Sequence, residues 1–126
     1  MQALLQGGEL DGARILAPKT VALMRENQIG ELVVHEMPEA LPLSNAFLIG
    51  PPGEGKFGLG FQINPVPLAT GRSAGSLAWA GLFNTYYWID PTAELAGVIC
   101  MQVLPFFDGP CIDLFERFER AVYDSA

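Results

Sequence analysis

The stretch Ser76-Leu77-Ala78-Trp79-Ala80-Gly81-Leu82-Phe83-Asn84-Thr85-Tyr86-Tyr87-Trp88-Ile89-Asp90-Pro91 constrains this chain more than any other. It reads as strand: Ser76–Trp79 opens it, Ala80-Gly81 leaves a small-residue gap, and Leu82–Ile89 continues the sheet through aromatics. A gap of that kind lets a ligand lie against bare backbone. Asp90-Pro91-Thr92-Ala93-Glu94 is a hairpin connection. The apolar run Leu95–Leu104 that follows fits a strand buried on both faces. Upstream, Phe57-Gly58-Leu59-Gly60-Phe61-Gln62-Ile63 alternates apolar residues with Gly or Gln, the period of a half-buried strand, and Pro65 and Pro67 end it. Short connections between these runs imply an antiparallel meander of about three strands.

Helices flank the meander, which makes the expected class α+β. Met1–Gln6 reads as the end of a helix that Gly7-Gly8 stops. Asp11-Gly12 marks a turn in the connector Glu9–Ile15. Pro18 starts a second helix to about Asn27, because a proline at the first helical position loses no hydrogen bond. Val21, Met24 and Ile29 give that helix an apolar side. Residues 30–56 hold Pro38, Pro42, Pro51 and Pro52 with Gly50, Gly53 and Gly55. They read as a long irregular loop with a short helical turn at Leu43–Leu48. Near the C-terminus, Asp108 is a candidate cap with Pro110 in the first turn. Ile112, Phe115, Phe118 and Val122 then recur at helical steps with Glu116, Arg117, Glu119 and Arg120 largely between them, an amphipathic helix laid on the sheet.

Composition excludes several classes. The 126 residues suffice for one domain with a core. Half are apolar and 17% are charged, so an apolar face that needs covering is expected. A net charge of −7 without a basic run argues against nucleic acid as a partner. No apolar run reaches the roughly 18–20 residues of a membrane span, and no basic, apolar leader opens the chain. Cys100, inside an apolar run, reads as a small buried hydrophobe. Cys111, at a helix start, is where a thiol pKa could drop. Two free thiols favour a reducing, cytoplasmic compartment.

The residues alone hold no nucleophile–base pair. His35, the one histidine, stands in the irregular loop with no Cys or Asp cluster near it, so neither a metal nor a cofactor is expected. Gly53-Glu54-Gly55-Lys56 lacks the phosphate-loop spacing and the Ser or Thr after Lys. Neither Ser-x-x-Lys nor Gly-x-Ser-x-Gly occurs, and Ser44, Ser73, Ser76 and Ser125 have no base at a fixed spacing. The Ala80-Gly81 gap admits two readings. A backbone N–H beside a Gly can donate to an oxyanion. Alternatively, Gly81 is an ordinary bulge and Trp79, Tyr86, Tyr87 and Trp88 are packing.

The order of these features resembles the C-terminal part of a serine β-lactamase-like protein, nearest the class C β-lactamases and the penicillin-binding-protein-like esterases. Leu4-Leu5-Gln6-Gly7-Gly8-Glu9-Leu10-Asp11-Gly12 through Leu16-Ala17-Pro18-Lys19-Thr20-Val21 is similar to the helix–turn–helix preceding that family's last strands. Phe57-Gly58-Leu59-Gly60-Phe61 is similar to its Tyr/Phe-Gly-Leu-Gly-Phe strand. Trp79-Ala80-Gly81 falls where the family has its third motif, Lys-Thr-Gly, Trp-Gly-Gly or His-Gly-Gly, and Thr85–Pro91 continues as members do. The resemblance implies a partial β-lactamase/transpeptidase-like fold over 1–126, the N-terminal catalytic portion being absent. It implies acyl transfer, in which a Ser from Ser-x-x-Lys attacks a carbonyl while Lys and a Tyr from Tyr-x-Asn move protons. By position, Leu82 would give its backbone N–H to the oxyanion beside Gly81, with Trp79, Ala80 and Tyr86 at the substrate. Trp in place of Lys favours neutral esters over penicillins.

Ser-x-x-Lys and Tyr-x-Asn are both missing from the 126 residues. The expected function is therefore a portion of a serine hydrolase, inactive alone, that meets a small ester or amide substrate only when the N-terminal part is supplied. The alternative is a non-catalytic module that self-associates through an exposed apolar sheet edge.

Overall fold

The computed structural model describes all residues, 1–126. Three helices and seven strands follow in the order α1 (Gln2–Leu5), β1 (Glu9–Leu10), β2 (Ala13–Arg14), α2 (Pro18–Met24), β3 (Lys56–Phe57), β4 (Gln62–Asn64), β5 (Ser76–Gly81), β6 (Thr85–Asp90), β7 (Leu95–Ile99) and α3 (Gly109–Asp124). The chain is α+β. Strands β3 to β7 form one five-stranded antiparallel sheet in sequential order, and β1 pairs with β2 in a separate hairpin. The sheet thus has five strands where about three were expected.

Two expected strands are hairpins instead. Phe57–Ile63 breaks into β3 and β4 because the backbone turns at Gly60, whose φ is +90°. Gly58 lies so close to the Met24 carbonyl at the end of α2 that a Cβ there would overlap the carbonyl oxygen. The glycines of this motif therefore serve a tight turn wrapped on α2, and the alternation is incidental to it. Likewise Ser76–Ile89 is not one strand with a gap. It reverses at Leu82-Phe83-Asn84, and Gly81 pairs with Thr85 in unbroken register, without a bulge.

The register sorts the side chains. Ala78 opposes Trp88 and Ala80 opposes Tyr86, while Leu77 opposes Ile89 and Trp79 opposes Tyr87. On the first face Ala78, Tyr86 and Trp88 form one core cluster with Phe106 and with Phe115 of α3. On the second face Ile63, Leu77 and Ile89 pack with Leu4 and Leu5 of α1. Small alanines on β5 beneath large aromatics on β6 let the helix approach closely. Trp88 has no exposed surface. A Cβ on Gly97 across from it would fall inside its ring, an overlap of the kind that costs about 1–3 kcal/mol or more.

Other expectations are corrected by tertiary context. α2 stops at Met24, short of Asn27. Residues 41–43 form a turn, and no helix occupies 43–48. The 30–56 segment is irregular, as expected, and is pinned by Met37–Phe47 and Ala40–Ser44 bridges and by Lys56 Nζ, which donates to the carbonyls of Gly30 and Leu32. β7 ends at Ile99 and is an edge strand, not one buried on both faces, since none of its residues is fully buried and Val98 is exposed. Cys100 beyond it is exposed, not buried. α3 is capped as expected, Asp108 accepting from Cys111 N–H at 3.3 Å. Its buried stripe, however, is Cys111, Phe115 and Glu119. Burial and the Asp108 carboxylate raise the Cys111 thiol above its usual value, opposite to the fall expected at a helix start.

Asp90 fastens the sheet to α3. Its Oδ2 accepts from Ser73 N–H (2.7 Å) and Tyr123 O–H (2.9 Å), and its Oδ1 from Thr92 and Ala93 N–H (3.0 and 3.1 Å). Trp88 Nε1–H in turn donates to the Tyr123 oxygen at 3.1 Å. Burial acts against the Asp90 charge, but these bonds outweigh it and lower its pKa. A folded carboxylate that holds its proton more weakly than the unfolded one confers stability above about pH 4, lost as pH falls through the folded pKa. Asp90→Asn is therefore expected to lower stability at pH 7 by about 2–4 kcal/mol. In urea unfolding from pH 7 to pH 3, the gap between Asp90→Asn and the natural chain should narrow; a constant gap contradicts the assignment.

Candidate functional site

The β5–β6 hairpin tip carries the residues that the sequence singles out. Leu82-Phe83-Asn84 is a three-residue loop closed by the Gly81–Thr85 pair. Such a loop needs one residue in left-handed conformation, and Asn84 supplies it with φ 61°. Asn tolerates this region better than other residues with side chains.

Asn84 also holds the tip from inside. It is completely buried. Its Nδ2 donates to the carbonyls of Val103 (3.0 Å) and Pro105 (2.9 Å). Its Oδ1 accepts from Tyr86 O–H (2.6 Å) and Asp108 N–H (3.2 Å). Phe83 C=O accepts from Val103 N–H at 3.3 Å. The loop is thereby fixed to the chain entering α3. Sequence reasoning missed Asn84 because an Asn amid aromatics reads as strand interior. The signal available was its aptitude for left-handed backbone between two β runs.

The fixed loop presents Leu82 outward, 45% exposed, and Leu82 N–H has no backbone acceptor. Gly81 is exposed and does not need to be glycine for the fold. Its φ is not left-handed, and a Cβ there would meet nothing nearer than Thr85 at 3.8 Å. Trp79 lies on the same sheet face, its ring edge-on to Phe57 at 5.3 Å. Its cross-strand partner Tyr87 meets Phe61 at 6.3 Å. Burial raises the Tyr87 phenol pKa. Phe57, Trp79, Phe61 and Tyr87 thus form an aromatic floor leading to the Gly81–Leu82 backbone.

The structure does not bring all the named residues together. Ala80 and Tyr86 lie on the opposite face, beneath α3. Tyr86 is 2% exposed, stacked between Phe106 and Phe115, and its hydroxyl is committed to Asn84. Burial raises its pKa strongly. Alternation along β6 turns the Tyr86 ring into the core, on the face opposite Trp79. His35 is in the 30–56 loop, and no group of three or more His, Cys, Asp or Glu is placed to hold a metal. No helix is long and apolar enough to cross a membrane.

No family model matches the chain. It is 30% identical over 115 residues to the monacolin J acid methylbutanoyltransferase of Aspergillus terreus, covering 86% of this chain and 28% of that protein. A mutant of simvastatin synthase from Aspergillus terreus superposes with a TM-score of 0.73 at 31% identity, over 98% of this chain and 32% of that one. A penicillin-binding protein homologue from Caulobacter crescentus shares the fold, with a TM-score of 0.59 at 20% identity over 94% of this chain and 29% of that one. The chain carries part of the fold shared by these serine β-lactamase and penicillin-binding-protein-like proteins. It spans between a quarter and a third of the length of these relatives.

Asn84→Gly keeps the backbone freedom at the tip and removes the four side-chain bonds. Stranding their buried partners should destabilise the chain by about 2–4 kcal/mol. Chemical denaturation checks this, and a loss below about 0.5 kcal/mol would show that Asn84 serves the turn geometry alone.

Proposed function

We propose that this chain forms the oxyanion-side strand and one wall of an acyl-transfer site in a serine enzyme. The Gly81–Leu82 backbone is the observation that carries the reading. A glycine that its own fold does not require, next to an N–H without an acceptor, fits a strand against which a carbonyl is held.

In the proposed reaction a serine from a Ser-x-x-Lys segment outside these residues attacks the carbonyl of an acyl donor. The carbonyl oxygen takes the negative charge and accepts from Leu82 N–H and from the N–H of the nucleophile. Collapse of the tetrahedral intermediate breaks the bond to the leaving group, which departs with a proton, and leaves an acyl-enzyme. Transfer of the acyl group to an alcohol then frees the serine. The relatives named methylbutanoyltransferases support transfer of the acyl group over its hydrolysis, which makes acyltransferase a better description than esterase. Trp79 and its aromatic neighbours give the acyl group an apolar surface and no cation for a substrate carboxylate. Ala80 acts by being small, letting Tyr86 and α3 pack behind the strand.

The chain by itself should release no p-nitrophenolate from p-nitrophenyl butyrate above background. Combined with a part bearing Ser-x-x-Lys and Tyr-x-Asn, it should restore turnover. In that active form Gly81→Val should lower kcat/KM about 100-fold while changing stability by less than about 1 kcal/mol. Turnover by the chain alone, or full activity of Gly81→Val, would sink the proposal.

One observation favours the second reading, a self-associating module. The outer edge of β7 has no partner strand, and Val98 on it is exposed. An open ladder is a template for pairing. Sedimentation equilibrium decides: strand pairing between copies gives a dimer that Val98→Lys dissociates, and a monomer at high concentration excludes it.

A further inference from the structure

Three stretches of chain meet at the hairpin-tip end of the sheet. Val103 N–H donates to the Phe83 carbonyl at 3.3 Å, Phe106 N–H to the Leu43 carbonyl at 2.8 Å and Asn45 N–H to the Phe106 carbonyl at 3.1 Å. Segment 103–106 thus bridges 82–84 and 43–45. Around this junction six large apolar side chains, Leu41, Leu43, Leu82, Phe83, Val103 and Leu104, are each between 40% and 62% exposed. No charged residue occurs in 40–50, 76–89 or 95–107, so the stretches that meet here carry no charge. The contrast is with α3, whose buried Glu119 has its own counter-ion, Arg72, at 2.7 Å.

An exposed apolar surface of this extent marks a contact site. The surface is also formed in advance, since Asn84 ties the tip to the Val103 and Pro105 carbonyls, and a preorganised surface loses little freedom on binding. The proposed acyl transfer fixes what must lie on it. The oxyanion accepts from Leu82 N–H and from the nucleophile's own N–H. Each donor nitrogen stands about 2.9 Å from the shared oxygen, so at most about 6 Å separates the two nitrogens. At that spacing the segment that carries the nucleophile lays its side chains on the residues flanking Leu82. These 126 residues hold no Ser-x-x-Lys. They match 28% of the Aspergillus terreus methylbutanoyltransferase, so such a protein has ample further length to supply the segment. An apolar cover also suits the chemistry, because N–H donors stabilise an oxyanion more strongly where water is excluded.

We propose that the uncharged tip surface is where the portion bearing Ser-x-x-Lys docks, seating apolar side chains on Leu41, Leu43, Phe83, Val103 and Leu104 and bringing its nucleophile to Leu82 N–H. The proposal rests on the reading of the Gly81–Leu82 backbone as the oxyanion strand.

The test co-expresses the full chain, carrying an affinity tag, with the rest of the Aspergillus terreus methylbutanoyltransferase, outside the matched 28%. The two should co-purify one-to-one, and hydrogen exchange should slow in 41–45, 82–84 and 103–106. Leu43→Glu and Leu104→Glu each place a charge on the surface, and whichever folds by circular dichroism should associate about 30-fold more weakly. Ile15→Glu, on an exposed residue just after β2, should associate like the natural chain. Gly81→Val should co-purify and yet lose turnover. A complex that forms while Gly81→Val retains full turnover sinks the oxyanion reading, and the docking proposal with it. The docking proposal alone is overturned if the two parts do not associate, if folded Leu43→Glu or Leu104→Glu associates unchanged, or if exchange slows elsewhere. It is equally overturned if the chain by itself forms a dimer that these two variants dissociate, which would make a second copy the occupant.

Discussion

Everything at the working end of this sheet depends on one amide side chain. Asn84 spends both donors and its acceptor oxygen on four partners, drawn from Tyr86, Val103, Pro105 and Asp108. Through them it joins the β5–β6 turn, the segment leaving β7 and the cap of α3. Inside a protein such a fully satisfied network is rigid, because every departure strands a buried polar group. The rigidity is transmitted outward to Leu82, two residues away, whose N–H would otherwise move with a loose loop. The hairpin tip is therefore exposed without being free.

The two sheet faces divide the labour. One is sealed by α3 over Tyr86 and Trp88 and carries the Asp90–Tyr123–Trp88 chain of hydrogen bonds. The other presents aromatic rings and the bare Gly81 backbone. Alternation along β6 decides which ring serves which purpose: Tyr87 goes to the open floor and Tyr86 to the core. The relatives that the chain matches are several times longer.

Local signals in the sequence reached the elements that rest on local chemistry. Asp11-Gly12 makes its turn, with positive φ at both residues, Asp108 caps α3, and Asp90-Pro91-Thr92-Ala93-Glu94 connects two strands. What escaped depends on contacts far apart in the chain. Phe57–Ile63 has strand periodicity, but Met24, more than thirty positions earlier, decides that Gly58 must sit against its carbonyl. Leu95–Leu104 is largely apolar, yet Val98 on its strand is exposed, so apolarity did not mean two covered faces. Of the candidate site, the motif order singled out Trp79 and Gly81, which share one sheet face, and Leu82 at the hairpin tip. It could not reveal that Tyr86 faces away, because a one-residue offset on a strand reverses the face.

Glu119 has a bearing on assembly of the fold. Along α3 the residues facing inward are Cys111, Phe115 and Glu119, four apart. Two apolar groups on such a ladder can slide by one turn and still be covered. Glu119 cannot, because only Arg72 on the opposing loop meets its charge, and a displaced helix would leave both ions buried alone, a penalty of several kcal/mol. The pair thus acts as an index mark: it adds little to how tightly α3 holds and selects which turn of the helix lies over Trp88.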